Sequence, residues 1–161
     1  MSDRFHSEPF HEVVERVNVK IYSEHYDLTP CQSRYGDACL DLRIKEDRVV
    51  CPSNEPFSLP TGIYLEIPPG YCGIIYGRSG LEVDGLQIFN GVIDSNYRGE
   101  VMVLARMVNF DKKYLYLART CRIAQLMIQK CPSVFLNVVP SMSELSETNR
   151  GKNGFGSSGT L

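Results

Sequence analysis

No two of the chain's 6 cysteines stand in a C-x-x-C pair, no apolar stretch is long enough to cross a bilayer, and neither sign of charge dominates. Each absence excludes something. Without zinc-site spacing, Cys31, Cys39, Cys51, Cys72, Cys121 and Cys131 read as small buried thiols. A formal net charge of -2 lacks the basic excess of a general nucleic-acid binder. A small anionic ligand stays open, because a few focused arginines suffice to hold one. No apolar run follows a basic segment near the start, so neither a signal peptide nor a membrane partner is expected. The expected setting is reducing and intracellular, in cytoplasm or nucleus. No internal repeat is present. With 161 residues, 43% of them hydrophobic and 22% charged, the chain has the makings of one globular domain.

What is present falls into three stretches. Residues 1–15 are polar and read as an N-terminal extension, in which Phe10, Val13 and Val14, continued by Val17, have helical spacing behind Pro9. That spacing fits a short helix or an arm covering the core. Residues 16–140 carry strand signals. Val17, Val19 and Ile21 alternate with polar neighbours, as do Ile63, Leu65 and Ile67, which predicts half-buried strands. The runs 101–108, 114–118 and 123–128 are nearly continuous and predict strands covered on both faces. Prolines, glycines and Asn90-Gly91 punctuate the runs, and one short helical turn is predicted through Ser79–Val83. Short strands with regular turns predict an all-β fold, a jelly-roll-like barrel or sandwich with at most one or two short helices. Residues 141–161 are rich in Ser, Gly, Asn and Glu and should form a flexible arm that cannot fold alone.

Four polar clusters interrupt the strands. Asp37 and Asp41 flank Ala38-Cys39-Leu40 and suit either a solvated turn or a metal ion reached through water. Tyr76-Gly77-Arg78-Ser79-Gly80-Leu81 joins a guanidinium fork, a hydroxyl and a close-approach glycine at the start of a helical turn, which suits phosphate. In Gly91–Val101, Val92 and Ile93 anchor a strand end from which Asp94 and Tyr97 emerge. An aspartate on a rigid hairpin can serve as general base, and a tyrosine three residues on can offer its ring to a sugar. A plain hairpin with an Asx-type turn is the simpler alternative. Last, Arg150–Gly159 surrounds the lone Phe155 with glycines, two bases and two hydroxyls, as a phosphate clamp or a solvated tail would.

In this order the clusters resemble the five motifs of the trimeric dUTPase family. The motifs are similar to Ala38–Leu42, Gly77–Leu81, Gly91–Val101, Arg122-Ile123-Ala124-Gln125-Leu126 and Arg150–Gly159. The resemblance implies hydrolysis of dUTP to dUMP and pyrophosphate, which limits uracil incorporation into DNA and supplies dUMP. It implies a homotrimer in which the arm of one subunit closes a site formed by two others. Asp94 then corresponds to the general base that orients a water toward the α-phosphorus. Tyr97 would pack on the deoxyribose, Met102 would line the nucleoside pocket, and the backbone of Asn90, Gly91, Val92 and Ile93 would read uracil. Arg78, Ser79, Gly80 and Gln125 would contact phosphates. Arg150, Gly156, Ser157 and Ser158 would close over them, with Phe155 stacked on the base. Mg²⁺ would ride on the triphosphate, with Asp41 reaching it through water.

Departures from the family pattern include Cys39 and Thr120 at usual glycine positions, Gly77 at a usual proline, Asn96 for a frequent acid, and Phe89-Asn90 before Gly91. A second motif without proline resembles virus-encoded members. Two alternatives stand beside this reading. One is a dCTP deaminase-like enzyme, a group that usually lacks the Phe155 arm. The other is a dUTPase-derived protein that has lost catalysis and binds host proteins, which would have little reason to keep Asp94, Tyr97 and the arm together.

Overall fold

A computed structural model describes residues 16–153. The predicted N-terminal helix over residues 1–15 and the distal arm, with Phe155, Gly156, Ser157 and Ser158, lie outside the described residues. In chain order the elements are β1 (Lys20–Ser23), β2 (Leu40–Arg43), β3 (Arg48–Val50), β4 (Phe57–Glu66), β5 (Tyr71–Tyr76), α1 (Ser79–Val83), β6 (Leu86–Ile88), β7 (Gly91–Ile93), β8 (Glu100–Met107), β9 (Leu115–Leu117) and β10 (Arg122–Lys130). All named strand pairs are antiparallel, in two four-stranded sheets ordered β1-β4-β8-β6 and β2-β10-β5-β7 and a small β3-β9 pair. The described residues therefore form an all-β fold with one five-residue α-helix, and that helix spans Ser79–Val83 as its sequence predicts.

The two large sheets share one core. Leu59, Ile63, Val101 and Val103 from the first meet Leu42, Ile75, Ile123 and Leu126 from the second. The alternation read at Ile63, Leu65 and Ile67 holds, since all three are buried while Tyr64 and Glu66 point outward. Three expectations change, the first at the run 114–118, where Tyr114 and Tyr116 are 55 and 54% exposed and only one face is covered. β1 begins at Lys20 rather than Val17 and lies at a sheet edge, so Ile21 is 42% exposed. The run 101–108 is not covered on both faces: Val101, Val103, Ala105 and Met107 are buried, whereas Met102 and Leu104 face outward. A continuous apolar run cannot reveal whether the second cover comes from the same chain.

Two irregularities aim the site. In β4 the register shifts between Pro60 and Tyr64, and Gly62 adopts a φ of +68°. A Cβ there would lie 2.9 Å from Leu28 Cδ1, so glycine is required by both backbone and space. The freed Gly62 N–H donates to Glu100 Oε1 at 2.8 Å, while buried Thr61 donates its hydroxyl to the Val101 carbonyl at 2.6 Å. The first residues of β8 are thereby pinned just behind the hairpin carrying Asp94.

In β10, Arg122 opposes Arg43 while Ala124 opposes Leu42, so one extra residue is inserted. The consecutive Ile123 and Ala124 are both buried, and the bulge restores Arg122 to the outward face shared by Gln125. Thr120 precedes this bulge with a φ of 68°, the one positive-φ residue other than glycine among those described. Its N–H donates to the Ile44 carbonyl and its carbonyl accepts from Arg43. A β-branched residue in the left-handed region is strained by about 1–2 kcal/mol. Thr120→Gly is expected to raise the melting temperature by about 1–3 °C, the released strain being partly offset by greater unfolded-state freedom. A calorimetric scan showing a lower melting temperature would contradict that account.

Among the described residues the last strand ends at Lys130. Residues 132–139 belong to no strand, and Val134, Phe135, Leu136 and Val138 are 73, 92, 80 and 89% exposed.

Candidate active site

Sheet register assembles a phosphate-type pocket. Asp41 on β2 opposes Gln125 on β10, which in turn opposes Tyr76 at the end of β5. Gly77 and Arg78 follow directly, and the chain turns into α1. Gln125 Nε2 donates to the Gly77 carbonyl at 2.6 Å, fixing that turn. Arg78 donates to Asp41 Oδ1 at 2.6 Å, and Arg122 donates to Oδ2 at 3.1 Å. The Ser33 hydroxyl completes the cluster, donating to Oδ2 at 2.5 Å and accepting from Arg122 at 2.7 Å. Asp41 is 8% exposed. Its burial pushes the carboxyl up, but the Ser33 hydrogen bond and the two guanidinium groups outweigh it and hold the carboxyl below the usual value of 3.8. One carboxylate thus sets the direction of two arginines.

These arginines border two cavities of about 580 and 610 Å³, which share Arg78, Ser79 and Arg122; Gly80 lines the first and Gln125 the second. Both are open and polar, as an anion site with exchangeable water requires. Cys39 lines the second cavity, and burial followed by the charges of Asp41 and Asp37 pushes its thiol up, which keeps it protonated.

A separate cavity of about 270 Å³ is lined by Ile75, Gly91, Val92, Ile93, Asp94, Tyr97, Glu100 and Met102. Six of the residues singled out in the sequence meet here. β7 pairs with β5 through Ile75↔Gly91, Ile74↔Val92 and Gly73↔Ile93, so the hairpin is fixed along its length. The Asp94 carbonyl accepts the Tyr97 N–H at 3.0 Å, closing the turn, and Asp94 remains exposed. The Tyr97 hydroxyl donates to the Glu100 carbonyl at 3.0 Å, and the ring lies over Gly99, where a Cβ would stand 2.3 Å from the hydroxyl oxygen. Gly99 is needed for this ring position. Glu100 in turn joins Lys45 (3.3 Å), which also reaches Glu24 at 3.2 Å. The apolar floor from Ile75, Ile93 and Met102 suits a flat base or sugar, and Asp94 supplies a basic oxygen at its rim.

Other expectations fare differently. Asn90 is exposed and does not line the small cavity. Phe89 is held away on the outer side, with the Arg106 guanidinium 5.7 Å from its ring centroid. Arg150 is bound up in its own turn, donating to the Asn153 carbonyl at 3.1 Å, and lines none of the three cavities within one chain. Asp41 faces two arginines first. With three hydrogen bonds on a carboxylate that accepts about four, one acceptor position is left for a water. Among the described residues, no group of three or more His, Cys, Asp or Glu could hold a metal ion by itself. Sequence reading gave no role to Ser33, Ile75 and Glu100 and did not mark Arg122 as a site residue. For Arg122 a signal existed, namely the adjacent Ile123-Ala124 that breaks strand alternation.

The fold and these cavities define a small all-β protein with an arginine-lined anion pocket and a separate hairpin pocket for a flat apolar group. The dUTPase family model matches residues 26–159. A deoxyuridine 5'-triphosphate nucleotidohydrolase of Orientia tsutsugamushi is 41% identical over 151 residues, covering 89% of this chain and 98% of that protein. One of Corynebacterium glutamicum is 40% identical over 134 residues, covering 81% and 86%. Among solved structures, the dUTPase of Staphylococcus bacteriophage 80alpha with dUPNHPP aligns with a TM-score of 0.78 at 25% identity, covering 88% of this chain and 98% of that one. The chain belongs to the dUTPase family.

Proposed function

We propose that the protein hydrolyses dUTP to dUMP and pyrophosphate. The observation that carries this is the meeting of Asp94, Tyr97, Met102 and the β7 backbone at one cavity on a rigid hairpin. Asp94 accepts a proton from a water whose oxygen bonds to the α-phosphorus, and the bond from that phosphorus to the bridging oxygen breaks, releasing pyrophosphate. A positioned base contributes about 10²–10⁴-fold to such a step. Arg78, Arg122, Ser79 and Gln125 face the triphosphate and bear on its developing charge. Tyr97 packs on the deoxyribose, where a 2′-hydroxyl would meet the ring. The β7 backbone takes the uracil edge, so an exocyclic amine or a 5-methyl group is disfavoured.

Mg²⁺ neutralises phosphate charge when bound. The donor set fits an ion carried by the nucleotide, because Asp41 keeps one acceptor position for a water-mediated contact. The test of the whole reading is pyrophosphate release with Mg²⁺ from dUTP, dCTP, TTP and UTP. Release from dUTP alone is expected. Release from several would point to a hairpin that does not select uracil, and none from a folded protein would remove the enzymatic reading.

The working form is a homotrimer. Three observations support it: the exposed 132–139 stretch, the outward Met102 and Leu104 on β8, and the lack of any residue common to the hairpin cavity and the two arginine-lined ones. A site completed between copies explains all three. The arm 141–161, with Arg150, Phe155, Gly156, Ser157 and Ser158, closes it as a lid would. Deleting residues 149–161 is expected to lower turnover at least a hundredfold while sedimentation still gives three times the mass of the shortened chain. Normal turnover without the arm would refute the closure. Among the described residues, nothing in the site favours the deaminase-like or non-catalytic alternatives.

A further inference from the structure

Cys131 follows directly on β10, at the point where the chain leaves the sheet for the exposed 132–139 stretch. Its sulfur lies 2.8 Å from that of Cys72 on β5, 59 residues away in sequence. Both are free thiols and both are partly buried. The backbone already holds them together. Gln129 opposes Cys72 in the antiparallel register, so Cys131 is its diagonal neighbour, and the Cys131 N–H donates to the Gly70 carbonyl at 2.7 Å. A disulfide has sulfurs about 2.0 Å apart, so the pair needs to close by less than about 1 Å.

We propose that Cys72 and Cys131 form a reversible intrachain disulfide that anchors the root of the C-terminal stretch to β5. The oxidant is a small disulfide of the glutathione type. A Cys131 thiolate attacks one of its sulfurs, giving a mixed disulfide and expelling one thiol. The Cys72 thiolate then attacks the Cys131 sulfur and expels the second. The protein loses two electrons and two protons, and the small disulfide becomes two thiols. The order follows from the surroundings of Cys72. Its hydrogen bond with Cys131, then burial, push its thiol up to about 11, so Cys131 opens the exchange. Capping Cys131 removes the first of those causes.

The link does not depend on the proposed reaction. Cys72 adjoins Gly73, which opposes Ile93, and Asp94 follows. In the reduced form, the Cys131–Gly70 backbone hydrogen bond and the Cys72 contact hold the root. In the oxidised form the bond is covalent, so the state of the pair sets how firmly the stretch is tethered beside the hairpin.

The experiment uses the full-length protein incubated with oxidised glutathione and then denatured for thiol titration and peptide mass mapping. Free thiols are expected to fall from six to four, with Cys72 and Cys131 in one linked pair. The melting temperature should rise by about 5–10 °C, and dithiothreitol should reverse both changes. Cys72→Ser and Cys131→Ser should each abolish the link and the temperature gain, whereas Cys51→Ser, at an exposed site, should keep both. Six thiols remaining, a link to another cysteine, or a link between chains would overturn the proposal.

Discussion

Asp94→Asn is expected to lower kcat about a thousandfold while the dissociation constant for dUTP changes less than about threefold. The two side chains are nearly isosteric, and asparagine lacks the basic oxygen that accepts the water's proton. The fold should not suffer. Asp94 is exposed, its carbonyl closes the turn with Tyr97, and the backbone of β7 is held by β5. Exposed substitutions of this kind change stability by about 0.5 kcal/mol or less. Single-turnover kinetics beside equilibrium binding separates the outcomes. Weakened binding with unchanged turnover of bound nucleotide would give Asp94 a binding role and reopen the choice of base.

Asp41→Asn should fail differently. Two guanidinium groups lose the charge that aims them, and a shift of about 1 Å in a positioning group costs on the order of 10² in rate. We expect kcat/KM to fall about a hundredfold, chiefly through KM, with Ser33→Ala milder. Stability should fall by about 1–2 kcal/mol at neutral pH, since the buried carboxylate loses its charge-assisted hydrogen bonds while Arg78 and Arg122, with side chains 26 and 44% exposed, stay partly solvated. The pH dependence has a definite sign. Because the folded carboxyl lies below 3.8, its contribution is complete above that value and is lost as pH falls through the lower folded value. Asp41→Asn should therefore flatten the acid limb of the stability curve below about pH 4. An unchanged limb in urea titrations would show that the cluster contributes nothing to folding.

Much of this was legible in residue order. The helical turn at Ser79–Val83 and the alternation at Ile63–Ile67 follow from local chemistry, because spacing and turn residues act over a few positions, whereas the residues of the hairpin cavity were brought together by the family resemblance. What stayed hidden depends on partners distant in sequence. Ser33 joins Asp41 and Arg122 only because β2 and β10 are neighbours. Arg122 points outward only because a bulge shifts the parity of its strand. Cys72 and Cys131 meet through a register that no cysteine spacing encodes. The outward Met102 and Leu104 had the composition of a core strand, and sequence cannot assign a cover to one chain or another.

The exposed stretch beyond β10 also bears on how the protein is made. Ser133-Val134-Phe135-Leu136-Asn137-Val138-Val139 is uncharged, rich in β-branched and aromatic residues, and as long as the segments that zip into cross-β stacks. Pro132 and Pro140 bound it on both sides, and proline is the residue that a growing stack least readily admits. A newly synthesised chain must find its proper neighbours before this segment finds copies of itself. The two prolines are gatekeepers that keep such a self-adhesive strip from lengthening while assembly is still incomplete.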